Sequence, residues 1–289
     1  MIEKVITMDK AKVLEQDDHM NGMQQLSMTV VEMTRPYASI CRIRGKIDPS
    51  HPQLWQLPNV AIRLDVEQHD QQRPSSRIYT VRHYDIARNE IEIDFVIHAD
   101  ASPAMRWLQQ AQVGTEILLT GPRPHFSPDF QAQRHNVIFA DDTAIPAVYS
   151  MLQQWPDHVS GDIYIDSLQP EQLQELPRPQ RVNFHFIQHD QKLAAGQGQY
   201  LSQAAAQIRP TADLGDLYVW AACERSEARR IREIFLQQHQ LDKSHVHVMG
   251  YWKAGVSSSV IDELRVDYYN QLLAQGEGLK DFDDLDLNI

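Results

Sequence analysis

The chain has 289 residues, of which 42% are hydrophobic and 23% are charged, a balance typical of globular proteins. This length is sufficient for two domains with separate cores. Acidic residues outnumber basic residues by 39 to 27, which argues against a general nucleic-acid-binding surface, because phosphate contacts need clustered Lys and Arg. Charged or strongly polar residues interrupt every apolar run, so no membrane span is predicted.

The cysteine and histidine patterns predict neither disulfides nor a metal site. Cys41 and Cys223 lie far apart and outside any Cys-x-x-Cys pair. The 13 histidines show no HExxH spacing. Reduced thiols and an opening sequence, MIEKVITMDK, without the apolar core of a signal peptide lead us to expect a cytoplasmic protein. The phosphate-binding patterns GxGxxG and GxxxxGK(S/T) are absent from the sequence.

From about Met28 to Thr120, short alternating runs predict an antiparallel β-barrel. A hairpin loop is expected at 85–89 and a short helix at 103–110. The predicted strands are SMTVVEM (27–33), YASICRIRG (37–45), NVAIRLDV (59–66), RIYTVR (77–82), EIEIDFVIH (90–98) and EILLT (116–120).

The later sequence alternates strands and helices, which predicts a parallel sheet covered on both faces. Such sheets bind ligands beyond the carboxyl ends of their strands. A last helix is predicted over Val260–Leu273, followed by the acidic tail DFDDLDLNI, which we interpret as a solvated end. The predicted strands are 136–140, 162–166, 182–187, 216–222 and 246–250, and the helices between them are 143–154, 200–208 and 226–239.

The segment RIYTVR places an arginine and a tyrosine on one strand face, because side chains alternate along a strand. Tyr79 could stack on an isoalloxazine, and Arg77 could place positive charge near a diphosphate. An ordinary strand is the alternative. The small-residue helix start at Ser102, Pro103 and Ala104 offers backbone N–H groups to a pyrophosphate, or is a capped helix with nothing bound.

Seven motifs follow one another between Met28 and Gly255: RxYTVR, DFVIH, PAxxW, GPR, DxTAxPA, VWAAxE and GYW. In this order the sequence resembles the siderophore-interacting protein family, which comprises FAD-dependent ferric-siderophore reductases among the ferredoxin-reductase-like flavoproteins. The resemblance implies an antiparallel FAD-binding β-barrel followed by a parallel-sheet, nucleotide-binding α/β domain. The expected division is an N-terminal extension (1–27), the barrel (28–124), the α/β domain (125–256) and a C-terminal helix with its tail (257–289).

The resemblance also implies site residues. Three basic positions beside the flavin would attract an anionic ferric complex: Arg63, Arg123 and His247. For Arg63, pairing with Asp65 across an exposed strand face is the alternative. Cys223 stands where the family has glycine, and we interpret it as a packed cysteine. The implied FAD-binding residues are Arg77, Ile78, Tyr79, Thr80, Arg82, Val96, His98, Ser102, Ala104, Trp107, Asp142, Thr143 and Ala144.

The activity implied by the resemblance is that of an oxidoreductase, a ferric reductase that converts Fe(III) in a siderophore to Fe(II) for intracellular iron acquisition. The flavin carries the electrons, so no catalytic acid, base or nucleophile is expected. The donor is expected to be NADH, NADPH or ferredoxin. Asp166, at a strand end, favours NADH because it would repel a 2′-phosphate, or it is a surface turn residue.

The expected partner is an anionic ferric siderophore, with ferredoxin as a second candidate and no nucleic acid or membrane. We expect a monomer. Two other functions stay open. One is a general NAD(P)H-dependent flavin or quinone reductase, and the other is a non-catalytic ferric-siderophore-binding protein.

Overall fold

The computed structural model describes residues 23–69, 74–97, 101–131, 134–188, 198–208, 217–276 and 285. These residues form two compact units. The first contains the described residues up to Phe126 together with those from Asp262 onward to residue 276, and the second contains Ser127–Ile261 and Leu285. Within the described part of the chain, no helix is both long and apolar enough to span a membrane.

The first unit is built on a seven-stranded antiparallel sheet with the strand order β4-β3-β7-β1-β2-β6-β5. The predicted antiparallel architecture is confirmed. Two short helices accompany the sheet, α1 (Pro52–Trp55) and α2 (Pro103–Gln110). The strands are β1 (Gln24–Tyr37), β2 (Ile40–Lys46), β3 (Val60–Glu67), β4 (Ser75–Thr80), β5 (His83–Asp85), β6 (Glu90–Val96) and β7 (Glu116–Pro124).

The segment that runs from β4 into β5 closes this sheet into a barrel. β4 pairs with β3, whereas β5 pairs with β6. Between them, the Val81 N–H donates to the Val60 carbonyl at 2.8 Å, and the Arg82 N–H donates to the Glu92 carbonyl at 2.9 Å. One bent segment therefore joins both edges of the sheet. The predicted strand 77–82 is confirmed over 77–80 and ends at Thr80, because the chain bends at Val81 and pairs on two sides.

The barrel core follows the alternation of the sequence. Ile91, Ile93 and Phe95 of β6 are fully buried, as their spacing predicts. Trp55 of α1 is also buried in this core, so the short helix covers one part of the barrel. Removal of this apolar surface from water stabilises the unit on which the candidate site is built.

The second unit is built on a five-stranded sheet with the strand order β10-β9-β8-β11-β12, and every pairing in it is parallel. The predicted parallel sheet is confirmed. Its strands are β8 (His135–Asp141), β9 (Ser160–Ser167), β10 (Val182–Gln188), β11 (Leu217–Glu224) and β12 (Val246–Trp252). The helices are α3 (Ile145–Leu152), α4 (Tyr200–Gln207) and α5 (Arg225–Glu233), and α6 (Ser258–Ala274) follows the sheet.

The strand order reverses between β8 and β11. From β8 the chain moves outward through β9 and β10, and it then returns to the other side of β8 for β11 and β12. β11 is buried along its whole length because apolar side chains cover both of its faces. The carboxyl ends of β8 and β11 therefore form the switch point at which parallel α/β sheets bind ligands.

Candidate functional site

Three aromatic rings lie in a row in the first unit. Tyr79 of β4 packs on Phe95 of β6 with 4.2 Å between ring centroids, and Phe95 stacks on Trp107 of α2 at 5.5 Å. Phe95 is fully buried, whereas Tyr79 and Trp107 each keep part of their surface exposed. Burial raises the pKa of Tyr79, so its phenol is neutral. The row thus presents an uncharged aromatic surface.

Arg77 lies two residues before Tyr79 on the same strand face. Its Nη1 donates to the Ser76 carbonyl at 2.7 Å and lies 3.8 Å from Oδ2 of Asp262 on α6. The side chain is largely buried. These contacts hold the guanidinium in place beside the aromatic row.

The amino terminus of α2 is anchored at both the cap and the first turn. The Ser102 hydroxyl accepts a hydrogen bond from the Met105 N–H at 3.4 Å, and Pro103 follows the cap, where its missing N–H is no loss. Arg106 Nη2 lies 2.8 Å from Oε2 of Glu67 on β3, and this hydrogen-bonded ion pair lowers the pKa of Glu67. The helix start is therefore fixed to the barrel.

The other predicted FAD positions of the first unit differ in exposure. Ile78 is exposed, Thr80 and Val96 are half-buried, and Ala104 is buried in the barrel core. His98 lies outside the described residues.

Arg82 has a different environment from the rest of its segment. It is 2% exposed, and its Nη1 lies 3.6 Å from Oδ2 of Asp94, which also pairs with Arg42 at 2.7 Å. A buried guanidinium needs such a carboxylate. Arg82 is therefore a buried part of the barrel wall, and its role in FAD binding stays a prediction.

The residues present fit FAD. The flavin ring and the adenine each need an aromatic surface, which Tyr79 and Trp107 respectively supply. The diphosphate needs a cation and backbone N–H groups, which Arg77 and the amino terminus of α2 supply.

Arg63 and Arg123 project from one face of the sheet because of a β-bulge. Ala61 pairs with Arg123 and Arg63 pairs with Thr120, so two steps along β3 correspond to three along β7. Without this shift, alternation would turn Arg123 toward the core with Leu119. The structure thus brings together the two basic positions that the sequence predicted in this unit.

A third arginine, Arg265 of α6, adds positive charge near Arg123. Burial lowers the pKa of Arg123, and the positive charges of Arg63 and of Arg265 on α6 lower it further. Burial is the largest cause of the low pKa of His125, about 3, and the positive charges of Arg123 and Arg265 lower it further. This imidazole is therefore neutral. Sequence reasoning missed Arg265, because its position on the last helix gave no sign that it would lie near β7.

In the second unit, Asp141 joins the ends of β8 and β12. Its Oδ1 accepts hydrogen bonds from the N–H and the hydroxyl of Thr143 at 2.9 and 2.5 Å, and its Oδ2 accepts one from Trp252 Nε1 at 2.7 Å. Burial raises the pKa of Asp141 to about 6. Ala144, fully buried, completes the turn that leads into α3.

Asp142 ties the same turn to the end of β9. Its Oδ1 accepts a hydrogen bond from the Ser167 hydroxyl at 2.5 Å, and its Oδ2 accepts one from the Leu168 N–H at 3.1 Å. Asp166 of β9 pairs in register with Asp141. The structure therefore brings the predicted second-unit residues Asp142, Thr143 and Ala144 to the switch point, with Asp166 on the neighbouring strand.

Two further acidic side chains accept hydrogen bonds from backbone N–H groups at the amino termini of helices in this unit. Glu224 Oε2 accepts hydrogen bonds from the N–H groups of Ser226 and Glu227 at 2.6 and 3.2 Å, which caps α5. Glu227 Oε1 accepts one from the Ser202 N–H at 3.0 Å, in the first turn of α4. Burial raises the pKa of Glu227 to about 7. Sequence reasoning missed this pair, although an acidic residue between a buried strand and a helix is a recognisable cap.

Lys253 is a cation at the same edge that sequence reasoning also missed. It directly follows the motif GYW, and its Nζ lies 3.4 Å from Oε1 of Glu224 and 2.5 Å from the Ser226 hydroxyl. Its position immediately after a family motif is the sequence signal that could have identified it as a candidate site residue.

The structure separates His247 from the switch point. His247 is the second residue of β12, so about 16 Å of strand separates it from Trp252 at the carboxyl end. Its Nε2 lies 2.9 Å from the Ser244 carbonyl oxygen, and burial lowers its pKa. His247 therefore lies at the amino end of β12, away from the carboxyl ends of the strands, and its role in attracting an anionic ferric complex stays a prediction. Cys223 is fully buried, and burial raises its pKa, as expected for a packed cysteine.

Two family models match the chain. The siderophore-interacting FAD-binding domain matches residues 47–126, and the siderophore-interacting protein model matches residues 133–255. The ferric acinetobactin reductase of Acinetobacter baumannii is 48% identical over 275 residues, which cover 95% of this chain and 94% of the relative. The chain belongs to the siderophore-interacting protein family.

Solved structures agree with this family assignment. A siderophore-interacting protein from Acinetobacter baumannii superposes with a TM-score of 0.83 at 47% identity. The match covers 88% of this chain and 100% of the other chain. A ferredoxin-NADP+ reductase from Plasmodium falciparum gives a TM-score of 0.56 at 14% identity, covering 79% and 97%, a likeness of fold alone. The siderophore-interacting protein described here therefore has the predicted ferredoxin-reductase-like fold.

Proposed function

We propose that this protein is an FAD-dependent reductase of ferric siderophores, which reduces Fe(III) to Fe(II). One observation carries the proposal. A flavin-suited face with Arg77 and Tyr79 lies in the same unit as the basic residues Arg63 and Arg123. Membership of the family supports it, and the name of the Acinetobacter baumannii relative describes the same kind of reaction.

Four features of the first unit would hold FAD. Tyr79 and Trp107 would contact the flavin and adenine portions, while Arg77 and the α2 amino terminus would bind the diphosphate. When bound, FAD takes up an electron pair and passes electrons singly to ferric iron. Tyr79 is neutral, so it adds no negative charge that would repel the reduced flavin.

The basic residues would attract and orient the ferric complex. Arg63 Nη1 donates to the Ser76 hydroxyl at 2.9 Å, and this contact anchors the guanidinium on the outer face of the barrel. Arg123 lies on the same face across the bulge. Two neighbouring cations raise the local concentration of an anionic chelate. In the second unit, Lys253 is the residue proposed to attract an anionic group at the carboxyl ends of the strands.

Release of iron needs no hydrolysis of the chelator. Hard oxygen ligands hold Fe(III) much better than Fe(II), so reduction itself weakens the complex. This chain therefore needs to supply binding, orientation and electrostatics, and it needs no nucleophile.

Among the candidate donors we propose NADH. Asp166 at the carboxyl end of β9 supports this choice, since a carboxylate there binds ribose hydroxyls and repels a 2′-phosphate. NADPH and ferredoxin stay alternatives. The cytoplasmic location and the monomeric state also stay predictions.

Steady-state reduction of a ferric tris-catecholate, with Fe(II) captured by a coloured chelator, tests the function. We expect Arg63→Gln and Arg123→Gln each to raise the KM for this trianionic complex about tenfold, the loss of one favourable charge contact. The control is Arg88→Gln, which removes the same charge from the exposed loop between β5 and β6. Unchanged KM values in both variants would favour a general flavin or quinone reductase. A colourless protein that binds the complex would indicate a carrier.

A further inference from the structure

One side chain of the second unit joins two strands that are not neighbours. Trp252, the last residue of β12, donates its indole N–H to Oδ2 of Asp141, the last residue of β8, at 2.7 Å. β11 lies between these strands, and neighbouring strands are about 4.8 Å apart, so the two side chains together span about 10 Å of sheet. The indole therefore extends across the carboxyl end of β11 towards β8.

A β-bulge sets the direction of Trp252. One step along β11, from Cys223 to Glu224, corresponds to two steps along β12, from Gly250 to Trp252. A bulge re-aims side chains and interrupts regular pairing. The extra residue thus turns the indole out of strict alternation at the end of the strand, where it meets the carboxylate on β8.

Asp141 keeps the indole in one position. Its other oxygen, Oδ1, accepts hydrogen bonds from the N–H and the hydroxyl of Thr143, so the carboxylate is itself fixed by the turn that follows β8. Trp252 is only partly buried. An indole that is held through its N–H and keeps part of its surface open offers a flat face at the switch point between β8 and β11.

We propose that Trp252 binds the nicotinamide ring of the electron donor and that Asp141 is its positioning residue. This inference rests on the donor proposed above, and it adds the side chain that recognises the reactive ring. The order of the strands supports it. Asp166, proposed to bind the ribose that carries the 2′-phosphate in NADPH, lies on β9, and β8 and β11 follow in the sheet. A dinucleotide that crosses this edge from β9 brings its other end, the nicotinamide, to the indole over β11.

The chemistry of the nicotinamide ring favours this contact. The ring is planar, and in NAD+ it bears a positive charge, so it gains both from stacking on an aromatic side chain and from a cation–π interaction. Trp gives the strongest cation–π interaction of the aromatic side chains. ADP-ribose lacks the nicotinamide ring but keeps the adenosine, the diphosphate and the second ribose. Its binding therefore measures the rest of the site alone.

Equilibrium binding to the oxidised, FAD-loaded protein tests the inference separately from reductase activity. We expect Trp252→Ala to raise the Kd for NAD+ about tenfold and to leave the Kd for ADP-ribose within about twofold. Trp252→Phe keeps a ring, so its Kd for NAD+ should lie between those of the wild type and Trp252→Ala. Isothermal titration calorimetry measures both ligands, and an unchanged Kd for ADP-ribose shows that the site of each variant is folded.

Substitution of Asp141 tests the positioning role. Asp141→Ala removes the acceptor of the indole N–H and should raise the Kd for NAD+ about fivefold, again with little change for ADP-ribose. Asp141→Asn keeps an acceptor oxygen and should stay within about twofold of the wild type. Equal Kd values for NAD+ in Asp141→Ala and the wild type would refute the positioning role.

Three results would overturn the inference as a whole. They are equal losses of affinity for NAD+ and ADP-ribose in Trp252→Ala, a Kd for NAD+ in this variant that is unchanged or lower, and wild-type protein that does not bind NAD+. The last result, together with reduction of a ferric complex by ferredoxin, would leave the reductase function standing. Trp252-dependent binding of NAD+ without reduction of a ferric complex would refute only the reductase function.

Discussion

The ring of Tyr79 lies on the ring of Phe95 with 4.2 Å between their centroids and a tilt of 37°. Phe95 is part of the barrel core, so this contact fixes the tyrosine of the flavin strand to the most buried part of the first unit. Phe95 also stacks on Trp107. The core thus positions both aromatic residues that would contact the cofactor.

Substitution of Tyr79 tests its contact with the flavin. We expect Tyr79→Ala to weaken FAD binding about tenfold, since a stacked ring contributes about 1 kcal/mol beyond its buried area. Tyr79→Phe keeps the ring and should stay within about threefold of the wild type. Titration of apoprotein with FAD, followed by flavin fluorescence, measures both. Equal FAD affinity in Tyr79→Ala would remove this residue from the cofactor site.

The buried pair of Arg82 and Asp94 predicts a stability effect. Asp94→Asn should lower the free energy of unfolding by about 3 kcal/mol, because it removes the buried carboxylate that pairs with both Arg82 and Arg42. The matched control is Glu67→Gln, which breaks a more exposed pair with Arg106 and should have a much smaller effect. Denaturant unfolding measures the difference. A loss in Asp94→Asn as small as that in Glu67→Gln would show that the buried ion pairs of Asp94 contribute no more to stability than an exposed pair.

Glu227 predicts a pH dependence of stability. Burial raises its pKa from 4.5 to about 7, so between these pH values the folded state holds a proton that the unfolded state has lost. Its contribution is therefore fully present below pH 4.5 and is lost as pH rises through 7. Glu227→Gln keeps the acceptor for Ser202 and removes this dependence.

We expect Glu227→Gln to gain stability relative to the wild type as pH rises from 5 to 8, by about 2 kcal/mol. Urea unfolding at several pH values measures the difference. A gain that is constant over this range would mean that Glu227 does not titrate in it.

The donor prediction depends on Asp166. Asp166→Ser should raise the preference for NADPH over NADH about tenfold, because it removes a charge that repels the 2′-phosphate. Asp157→Asn, on the exposed turn before β9, is the control for the change in charge. Rates of anaerobic flavin reduction by each nucleotide give the ratio. An unchanged ratio would place the ribose elsewhere, and reduction by ferredoxin alone would refute NADH as donor.

The sequence was sufficient to predict both sheets, because the alternation in β6 is typical of a half-buried strand and the apolar run 217–223 of β11 is typical of a buried parallel strand. It was not sufficient where side-chain direction depends on pairing. The bulge that turns Arg123 outward and the bend at Val81 are properties of two strands together. The contact of Asp262 with Arg77 joins residues that lie far apart in the chain, so no local sequence pattern predicts it.

The most direct test of the function is an anaerobic single-turnover experiment. The FAD-loaded protein is reduced, mixed with a ferric tris-catecholate, and followed by flavin absorbance together with Fe(II) capture. We predict that the oxidised flavin spectrum returns at a rate that rises with chelate concentration, with about two Fe(II) released for each FAD. Flavin that stays reduced in the presence of the ferric complex, with no Fe(II) formed, would contradict the assignment of this protein as a ferric-siderophore reductase.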